Sequence, residues 1–267
     1  MSADLASTSV HQANPVAVIS GGARGIGAAT AERLVASGWR VALLDINGEG
    51  AQAEAARLGD QNLGLGCDVA DQQAVKDVVD QIATHFGRVD AVIPAAGNIT
   101  RAPAEEFDLA IWQKHLDIHL TGSLLLAQAC HSLLAESKGS IVTFASVAST
   151  FGLPGRVAYG TVKTGMVGLT RTLAAEWGPH GIRVNAVAPG YVDTEMVRSG
   201  FRSGSINEDT VLSRTPLRRL ATPEDIAGVI EFLVGPAASF ITGVLLPVDG
   251  GLIIDGRFDA PSDGSGI

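Results

Sequence analysis

The sequence has little of what disulfide-stabilised, metal-binding and nucleic-acid-binding proteins use. It contains only two cysteines, Cys67 and Cys130, too few for a disulfide framework, and no histidine–cysteine cluster typical of a zinc site. Acidic residues outnumber basic ones by 28 to 19, which gives a net charge of −9, and the basic residues form no cluster. We therefore expect no disulfides, no metal and no nucleic-acid partner.

Long apolar runs are also missing, as is a signal sequence. Residues 1–14 are polar and are predicted to form a flexible N-terminal arm that ends before Pro15. The longest apolar stretch, 120–134, is interrupted by polar side chains such as Thr121 and Gln128, so it is predicted not to cross a bilayer. These absences predict a cytoplasmic protein with no membrane partner.

What the chain does have is a regular alternation of apolar strand segments with helical segments. The strands are predicted over 16–20, 40–44, 62–67, 89–94, 140–145, 182–188 and 245–248. The main helices are predicted over 28–37, 49–58, a segment from about 71, 107–135, 157–177 and 223–234. This alternation predicts one α/β domain over residues 15–251, a Rossmann-like doubly wound parallel sheet with helices on both faces. The tail, 252–267, is expected to be partly ordered against a neighbouring subunit.

Glycines follow the first predicted strand directly. Gly21, Gly25 and Gly27 give the spacing G-x-x-x-G-x-G, which differs from the general dinucleotide pattern G-x-G-x-x-G. A strand, a glycine turn and a helix in this order form a phosphate-binding element, because the missing Cβ atoms let a pyrophosphate approach the helix N-terminus. The alternative is an ordinary glycine-rich turn between strand and helix.

The second predicted strand ends in Asp45, 18 residues after Gly27. A carboxylate at this place binds the adenosine ribose hydroxyls of NAD and repels the additional phosphate of NADP. Arg24, in the glycine turn, is a candidate partner for that phosphate. Because Ile46 and Asn47 add no positive charge, NAD is the predicted cofactor and NADP the less favoured one.

Two further strand ends provide candidate cofactor contacts. Asp68, followed by Val69, is placed to accept from the adenine amino group, although a cap for the helix near Asp71 is a good alternative. Ala95, Ala96 and Gly97 follow the fourth predicted strand, where small side chains let the backbone lie against a cofactor.

One stretch has the residues for acid–base chemistry. Tyr159 and Lys163 are four residues apart, so on a helix both side chains leave the same face. An ammonium beside a phenol lowers the phenol pKa from about 10, and such a tyrosine can exchange a proton with an alcohol or ketone near neutral pH. Ser146 is placed to donate to the same substrate oxygen. The alternative is a helix-start tyrosine and a solvated lysine without chemical roles.

Taken together, residues 16–251 resemble the short-chain dehydrogenase/reductase family in its single-domain form. The resemblance is carried by Gly21, Gly25, Gly27, Asp45, Asp68, Ser146, Tyr159, Lys163, Asn185, Pro189 and Gly190. It implies that Tyr159 is the general acid/base, that Lys163 lowers its pKa and binds the nicotinamide ribose, and that Ser146 positions the substrate oxygen. It also implies a homotetramer built on the helices 107–135 and 157–177 and on the last strand.

The resemblance implies a set of cofactor contacts as well. These are Gly21, Arg24, Gly25, Ile26, Gly27, Asp45, Ile46, Asp68, Val69, Ala95, Ala96, Gly97, Tyr159, Lys163, Pro189, Gly190, Val192 and Thr194. Val192 and Thr194 would hold the nicotinamide carboxamide.

Two departures from the family pattern stand out. The family has Asn-Asn-Ala-Gly after the fourth strand, where this chain has Pro94-Ala95-Ala96-Gly97, so hydrogen bonds of both amides need other partners. The family's fourth catalytic residue is an asparagine, at the position of His119 here. We expect His119 to take the position in the proton relay next to Lys163 and to titrate near neutral pH. The alternative is a neutral imidazole satisfied by a backbone carbonyl.

The candidate substrate pocket combines apolar and polar groups. It comprises Asn98, Ile99, Thr100, Ser146, Ala148, Phe151, Leu153, Tyr159, Tyr191 and the segment 196–201, which begins at Met196. No buried charge is evident among these residues, which predicts an uncharged or amine-bearing substrate over a strongly anionic one. The polar segment 195–215 is predicted to be either a mobile cover of the site or a plain surface loop.

These features predict an NAD-dependent oxidoreductase that interconverts a secondary alcohol and a ketone. A 3-oxoacyl reductase or a polyol dehydrogenase of the same family is the alternative enzyme. A carrier-protein substrate is disfavoured, because Ser137 and His180 stand where such reductases have arginines. A non-catalytic NAD(H)-binding sensor is the alternative from a different class.

Overall fold

The computed structural model describes residues 14–256. The predicted arm lies outside the described residues except for Asn14, as does the tail beyond residue 256. Within the described part, seven parallel strands form one sheet in the order β3-β2-β1-β4-β5-β6-β7. The strands are β1 Val16–Ser20, β2 Arg40–Asp45, β3 Leu63–Gly66, β4 Ala91–Pro94, β5 Ser140–Phe144, β6 Arg183–Pro189 and β7 Leu245–Val248. The predicted fold class is confirmed.

Helices cover both faces of this sheet. They are α1 Gly25–Ala36, α2 Gly48–Arg57, α3 Gln72–Phe86, α4 Leu109–His115, α5 Gly122–Ser137, α6 Val157–Trp177, α7 Glu195–Arg202, α8 Glu208–Arg214 and α9 Pro223–Val234. Successive side chains of β1 point to opposite faces: Val16 and Val18 pack with α3, α5 and α6, and Ala17 and Ile19 pack with α1, α2 and α9. Because both faces are covered, the inner strands read as continuous apolar runs.

Two predicted segments differ from the structure. The predicted helix 107–135 consists of α4 and α5 joined by a π-helical turn, Leu116–Thr121, which includes His119. The segment 195–215 contains two short helices, α7 and α8, instead of an irregular loop. Directly after residue 251, Leu252–Ile254 forms a helical turn with Leu252 buried.

By length and composition alone, the composite helix Leu109–Ser137 qualifies as a membrane span. Core helices of water-soluble proteins pass the same test. Leu126, Cys130 and Leu134 of this helix are completely buried in the core against the sheet and α3. Its apolar character is therefore used, at least in part, in packing the domain.

The strand order reverses next to β1, which lies between β2 and β4. The loops that follow these strands separate there, one towards each face, and leave a crevice at the carboxyl edge of the sheet. Gly21, Asp45, Ala95, Ser146 and Gly190 all follow or end strands at this edge. The fold thus brings together the residues selected from the sequence.

Candidate active site

The glycine turn forms a cradle in which side chains have no room. Gly21 has φ +68°, and a Cβ built on it would lie 2.9 Å from the backbone nitrogen of Ala96. A Cβ on Gly27 would lie 2.2 Å from the carbonyl oxygen of Gly21. Only glycine permits these approaches, and α1 begins at Gly25 with its free N–H groups facing this turn. The cradle fits a dinucleotide pyrophosphate.

Asp45 is joined to the glycine turn. Its Oδ2 accepts from the backbone N–H of Ala23 at 3.2 Å, and its Oδ1 accepts from that of Asn47 at 3.0 Å. The carboxylate is partly exposed, so it can also accept from ribose hydroxyls. Arg24 is exposed, with no ion pair to any carboxylate of residues 14–256, and Ile46 is 79% exposed beside the same crevice.

The alternative role of Asp68 as a helix cap is wrong. Asp71 caps α3, accepting from the backbone N–H groups of Gln73 and Ala74. Asp68 is exposed, and among residues 14–256 its carboxylate accepts only from the backbone N–H of Ala70, at 3.0 Å through Oδ1. Val69 is buried and packs against the start of α5.

Ser20, at the end of β1, holds the backbone of the segment that follows β4. The backbone N–H of Ala96 donates to Ser20 Oγ, and that of Ala95 donates to Ser20 O, both at 3.2 Å. This pairing holds the 95–97 segment against the glycine turn. Position 97 also requires glycine, because a Cβ there would lie 2.6 Å from the His119 ring.

The loop after β6 closes the cradle from the opposite side. Gly190 packs on Asp249, where a Cβ would lie 2.9 Å from the Asp249 Cα atom. Val192 is buried and pairs with Ala221 in an isolated bridge. The Thr194 methyl group lies 3.8 Å from the Cβ position of Gly25, so this loop reaches the glycine turn.

Ser146, Tyr159 and Lys163 come together from β5 and α6. Ser146 follows β5, and its hydroxyl lies close enough to the Tyr159 phenol to act on the phenol pKa. The Lys163 Nζ atom lies 5.6 Å from the Tyr159 ring centroid and donates to the Phe144 carbonyl at 2.8 Å. The three side chains predicted from the sequence therefore share one site. Asn185, in contrast, is completely buried and joins β6 to Ile241 and Val244 near β7.

The charge relationships differ from the expected ones. Burial raises the pKa of Tyr159 above its usual value, and the Ser146 hydroxyl opposes that rise only in part. The positive groups that lower the Tyr159 pKa are Arg156 and Arg101. Burial lowers the pKa of Lys163 to about 8. The Lys163 Nζ atom points to the Phe144 carbonyl in this arrangement, and its role in lowering the Tyr159 pKa stays a prediction.

His119 lies beside the tyrosine but does not titrate near neutral pH, contrary to expectation. Its ring meets the Tyr159 ring edge-on with centroids 6.1 Å apart. Burial and the charge of Lys163 lower the pKa of His119 to about 2. Nε2 is 3.2 Å from the Asn98 backbone nitrogen and 3.0 Å from the Asn98 carbonyl oxygen. His119 is thus neutral and in contact with the Asn98 backbone, and its place in a proton relay stays a prediction.

The predicted pocket residues range from buried to partly exposed. Ala148 is buried next to Ser146, and Leu153 and Tyr191 are half-buried. Phe151 and Met196 are 36% and 38% exposed.

Arg101 was missed from the sequence, although it directly follows the selected residues Asn98, Ile99 and Thr100. Its partly buried guanidinium exerts its charge on Tyr159 and Tyr191, so a positive charge adjoins the predicted pocket residues.

Comparisons with known proteins agree with this geometry. A family model described as Enoyl-(Acyl carrier protein) reductase matches residues 21–253. A D-threitol dehydrogenase of Mycolicibacterium smegmatis is 41% identical over 243 residues, covering 90% of this chain and 93% of the relative. A cis-4-hydroxycyclohexanecarboxylate dehydrogenase of Sinomonas cyclohexanicum is 40% identical over 244 residues, covering 90% and 96%.

A solved structure shows the same similarity in three dimensions. It is described as an NAD(P)-dependent gluconate 5-dehydrogenase of Beutenbergia cavernae with bound NADP. It superimposes with a TM-score of 0.84 at 35% identity, covering 91% of this chain and 98% of the other. The relatives are named dehydrogenases, which favours an enzyme over a non-catalytic sensor. Similarity of this extent shows that the chain belongs to the short-chain dehydrogenase/reductase family, as an oxidoreductase of secondary alcohols and ketones.

Proposed function

We propose that the chain oxidises a secondary alcohol to a ketone, and performs the reverse reaction, with NAD as its cofactor and Tyr159 as the general acid/base. The observation that supports this most directly is the convergence of Ser146, Tyr159 and Lys163 at the carboxyl edge of the sheet, where Ser146 acts to lower the Tyr159 pKa. Two hydroxyls held together there can both reach one substrate oxygen.

The residues divide the acid–base work. In ketone reduction the Tyr159 O–H donates its proton to the substrate oxygen while Ser146 donates a second hydrogen bond to it. In alcohol oxidation the phenolate takes that proton back. Because burial raises the Tyr159 pKa, the phenol is the resting form, and the oxidation rate should rise with pH. The buried Lys163 supplies positive charge next to the ring while it is protonated.

The cofactor fits the cradle described above and, when bound, accepts or donates the hydride. The remaining cofactor contacts are proposed as they were predicted from the sequence. NAD is proposed over NADP because Asp45 is fixed at the end of β2 by two backbone N–H groups. A fixed, partly exposed carboxylate favours ribose hydroxyls and repels a phosphate.

A small substrate is proposed, in keeping with the cyclic hydroxy acid and the polyol in the relatives' names. The two carrier-protein positions have other uses. Ser137 donates to the Val89 carbonyl at 2.6 Å, and His180 is hydrogen-bonded to His131 at 3.0 Å. Neither position has an arginine, and the net charge of the chain is −9. An acidic carrier protein requires positive charge at the entrance of the site, so such a substrate is disfavoured.

A cytoplasmic homotetramer built on α5 and α6 is also proposed. Intrachain contacts account for several small residues of these helices: a Cβ on Gly165 would meet Leu120, and one on Gly122 would meet Val69. Gly168 of α6 has open space around its Cβ position, which leaves room for a second subunit. Sedimentation of Gly168→Leu tests this, and an unchanged tetramer would count against contact at α6.

The catalytic proposal is tested with a panel of secondary alcohols and ketones, NAD or NADP, and the variants Tyr159→Phe and Asp45→Asn. We expect Tyr159→Phe to lose about 10²- to 10⁴-fold in kcat while NAD still binds. Asp45→Asn keeps an acceptor oxygen but loses the charge, so preference should shift towards NADP. Binding of NAD without turnover of any panel compound in either direction would contradict the proposal.

A further inference from the structure

Arg101 lies in the wall of the proposed substrate site. The residue after it, Ala102, donates its backbone N–H to the Gly155 carbonyl at 3.1 Å, which fixes this segment beside the loop that enters α6. The Arg101 Nη2 atom lies 3.0 Å from the Cβ position of Gly200 on α7. The guanidinium thus occupies the space between the α6 entry loop and α7, and its charge acts on Tyr159 and Tyr191.

This guanidinium has no anionic partner. No ion pair of residues 14–256 includes Arg101, and its buried Nε–H has no acceptor among them. Arginines on the neighbouring α7 are paired: Arg198 with Asp193 and Glu208, and Arg202 with Glu195. An unpartnered donor in a partly buried guanidinium costs free energy, so the fold keeps this group at a cost to its own stability.

A second positive charge stands beside the first. Arg156, at the start of α6, donates to the carbonyls of Pro154 at 2.9 Å and Ser205 at 3.4 Å and pairs with no carboxylate of the described residues. Burial lowers the pKa of Arg101, and the charge of Arg156 lowers it further. Two like charges side by side repel, and an anion between or against them relieves that repulsion.

We propose that Arg101 binds a carboxylate group of the substrate, with Arg156 adding to the positive field, so that the preferred substrate is a secondary hydroxy acid or the corresponding keto acid. This inference rests on the proposed function, since it assigns the substrate class of the same site. A carboxylate suits the guanidinium because its two oxygens accept parallel N–H bonds. A neutral polyol would leave the charge of Arg101 unpaired. Arg101 holds the carboxylate end of the substrate while the hydroxyl or keto end reacts at Tyr159. Arg101 is therefore a specificity-determining residue that takes no part in the proton transfer.

The test compares hydroxy acids with their primary amides, which have nearly the same shape and lack the charge. Three pairs of different length serve: lactate and lactamide, 3-hydroxybutyrate and its amide, and 4-hydroxycyclohexanecarboxylate and its amide. The variants are Arg101→Gln, which removes the charge, and Arg101→Lys, which keeps it. Arg202→Gln is the matched control, since it removes one charge from the α7 surface outside the site.

For at least one pair, we expect the wild type to prefer the acid and Arg101→Gln to reduce that preference about 10- to 100-fold, mainly through KM. Arg101→Lys should retain part of the preference and Arg202→Gln all of it. Wild-type oxidation of acid and amide at equal rates, or an equal loss on both in Arg101→Gln, would overturn the inference. So would turnover of uncharged alcohols without turnover of any acid, while the proposed function would survive. Failure on every alcohol and ketone would contradict the proposed function itself.

Discussion

The side chain of Ser149 joins the two halves of the acid–base site: its hydroxyl donates to the backbone carbonyl of Lys163 at 2.7 Å. The same oxygen accepts from the backbone N–H of Ser146 at 3.3 Å. Ser149 therefore connects the end of β5, which presents Ser146, to the turn of α6 that presents Tyr159 and Lys163. The distance between these groups therefore depends on a residue outside the predicted catalytic set.

We predict that Ser149→Ala lowers kcat about tenfold and leaves KM for the cofactor within about threefold. Without this connection the catalytic groups are held less precisely, which we expect to raise the activation free energy by about 1–2 kcal/mol. A tenfold loss of rate corresponds to about 1.4 kcal/mol. Steady-state kinetics measures the effect. Ser149→Thr should restore the rate by restoring the hydroxyl. Thr161→Ala is the control on the same helix, because its hydroxyl donates only to Val157 at an exposed site. A full-rate Ser149→Ala enzyme would contradict the prediction.

Two helical glycines should respond to alanine with opposite signs. A Cβ on Gly27 would lie 2.2 Å from the Gly21 carbonyl oxygen, whereas a Cβ on Gly228 of α9 would meet nothing within 4 Å. Gly27→Ala must push the glycine turn aside, so we expect it to destabilise by about 1–3 kcal/mol and to weaken NAD binding. Gly228→Ala should stabilise by about 0.5–1 kcal/mol through helix propensity. Urea unfolding measures both, and equal effects would refute the crowding argument.

The sequence predicted those features that depend on local pattern. The bounds of β1 and α6 are those expected, because apolar runs and helical spacing reflect burial against a sheet. Arg101 escaped prediction because its lack of a partner depends on how α7 packs over it. The π-helical turn at His119 was not predicted either, because widening a single turn leaves the apolar pattern of a long helix almost unchanged.

The state of His119 yields a prediction about pH. With its pKa lowered to about 2, the ring is neutral throughout the working range, so its substitution should leave the pH–rate profile unchanged in shape. Glutamine places an amide near the Nε2 position and can still bond Asn98, so His119→Gln should stay within about threefold of wild-type kcat/KM. His119→Ala leaves the Asn98 N–H without its acceptor and should lose about tenfold.

Profiles of kcat/KM from pH 5 to 10 decide between the possible roles of His119. If His119→Gln shifts a limb of the profile, the imidazole titrates and the neutral assignment is wrong. If His119→Asn and His119→Ala both retain wild-type rate and profile, His119 has no part in proton relay or positioning.

Lys163 should make the free energy of unfolding increase as the pH rises from about 8 to 10.5. Its pKa in the folded protein is lowered from 10.5 to about 8 by burial. Between these values the unfolded chain binds a proton at Lys163 that the folded chain has released. Unfolding then takes up a proton, so raising the pH from about 8 to 10.5 disfavours unfolding, by up to about 3 kcal/mol. Below pH 8 both states hold the proton, and Lys163 adds no slope.

The measurement is urea unfolding of the wild type and Lys163→Met at pH 7.5, 8.5 and 9.5. Groups shared by both proteins, such as the thiol of Cys67 with its pKa raised to about 11, cancel in the difference. The stability of the wild type relative to Lys163→Met should therefore increase with pH. Lys114→Met is the control, because it removes an exposed lysine outside the candidate site by the same substitution. A flat difference for Lys163→Met would show that the buried amine keeps its ordinary pKa, and with it a full positive charge beside Tyr159 across the pH range of catalysis.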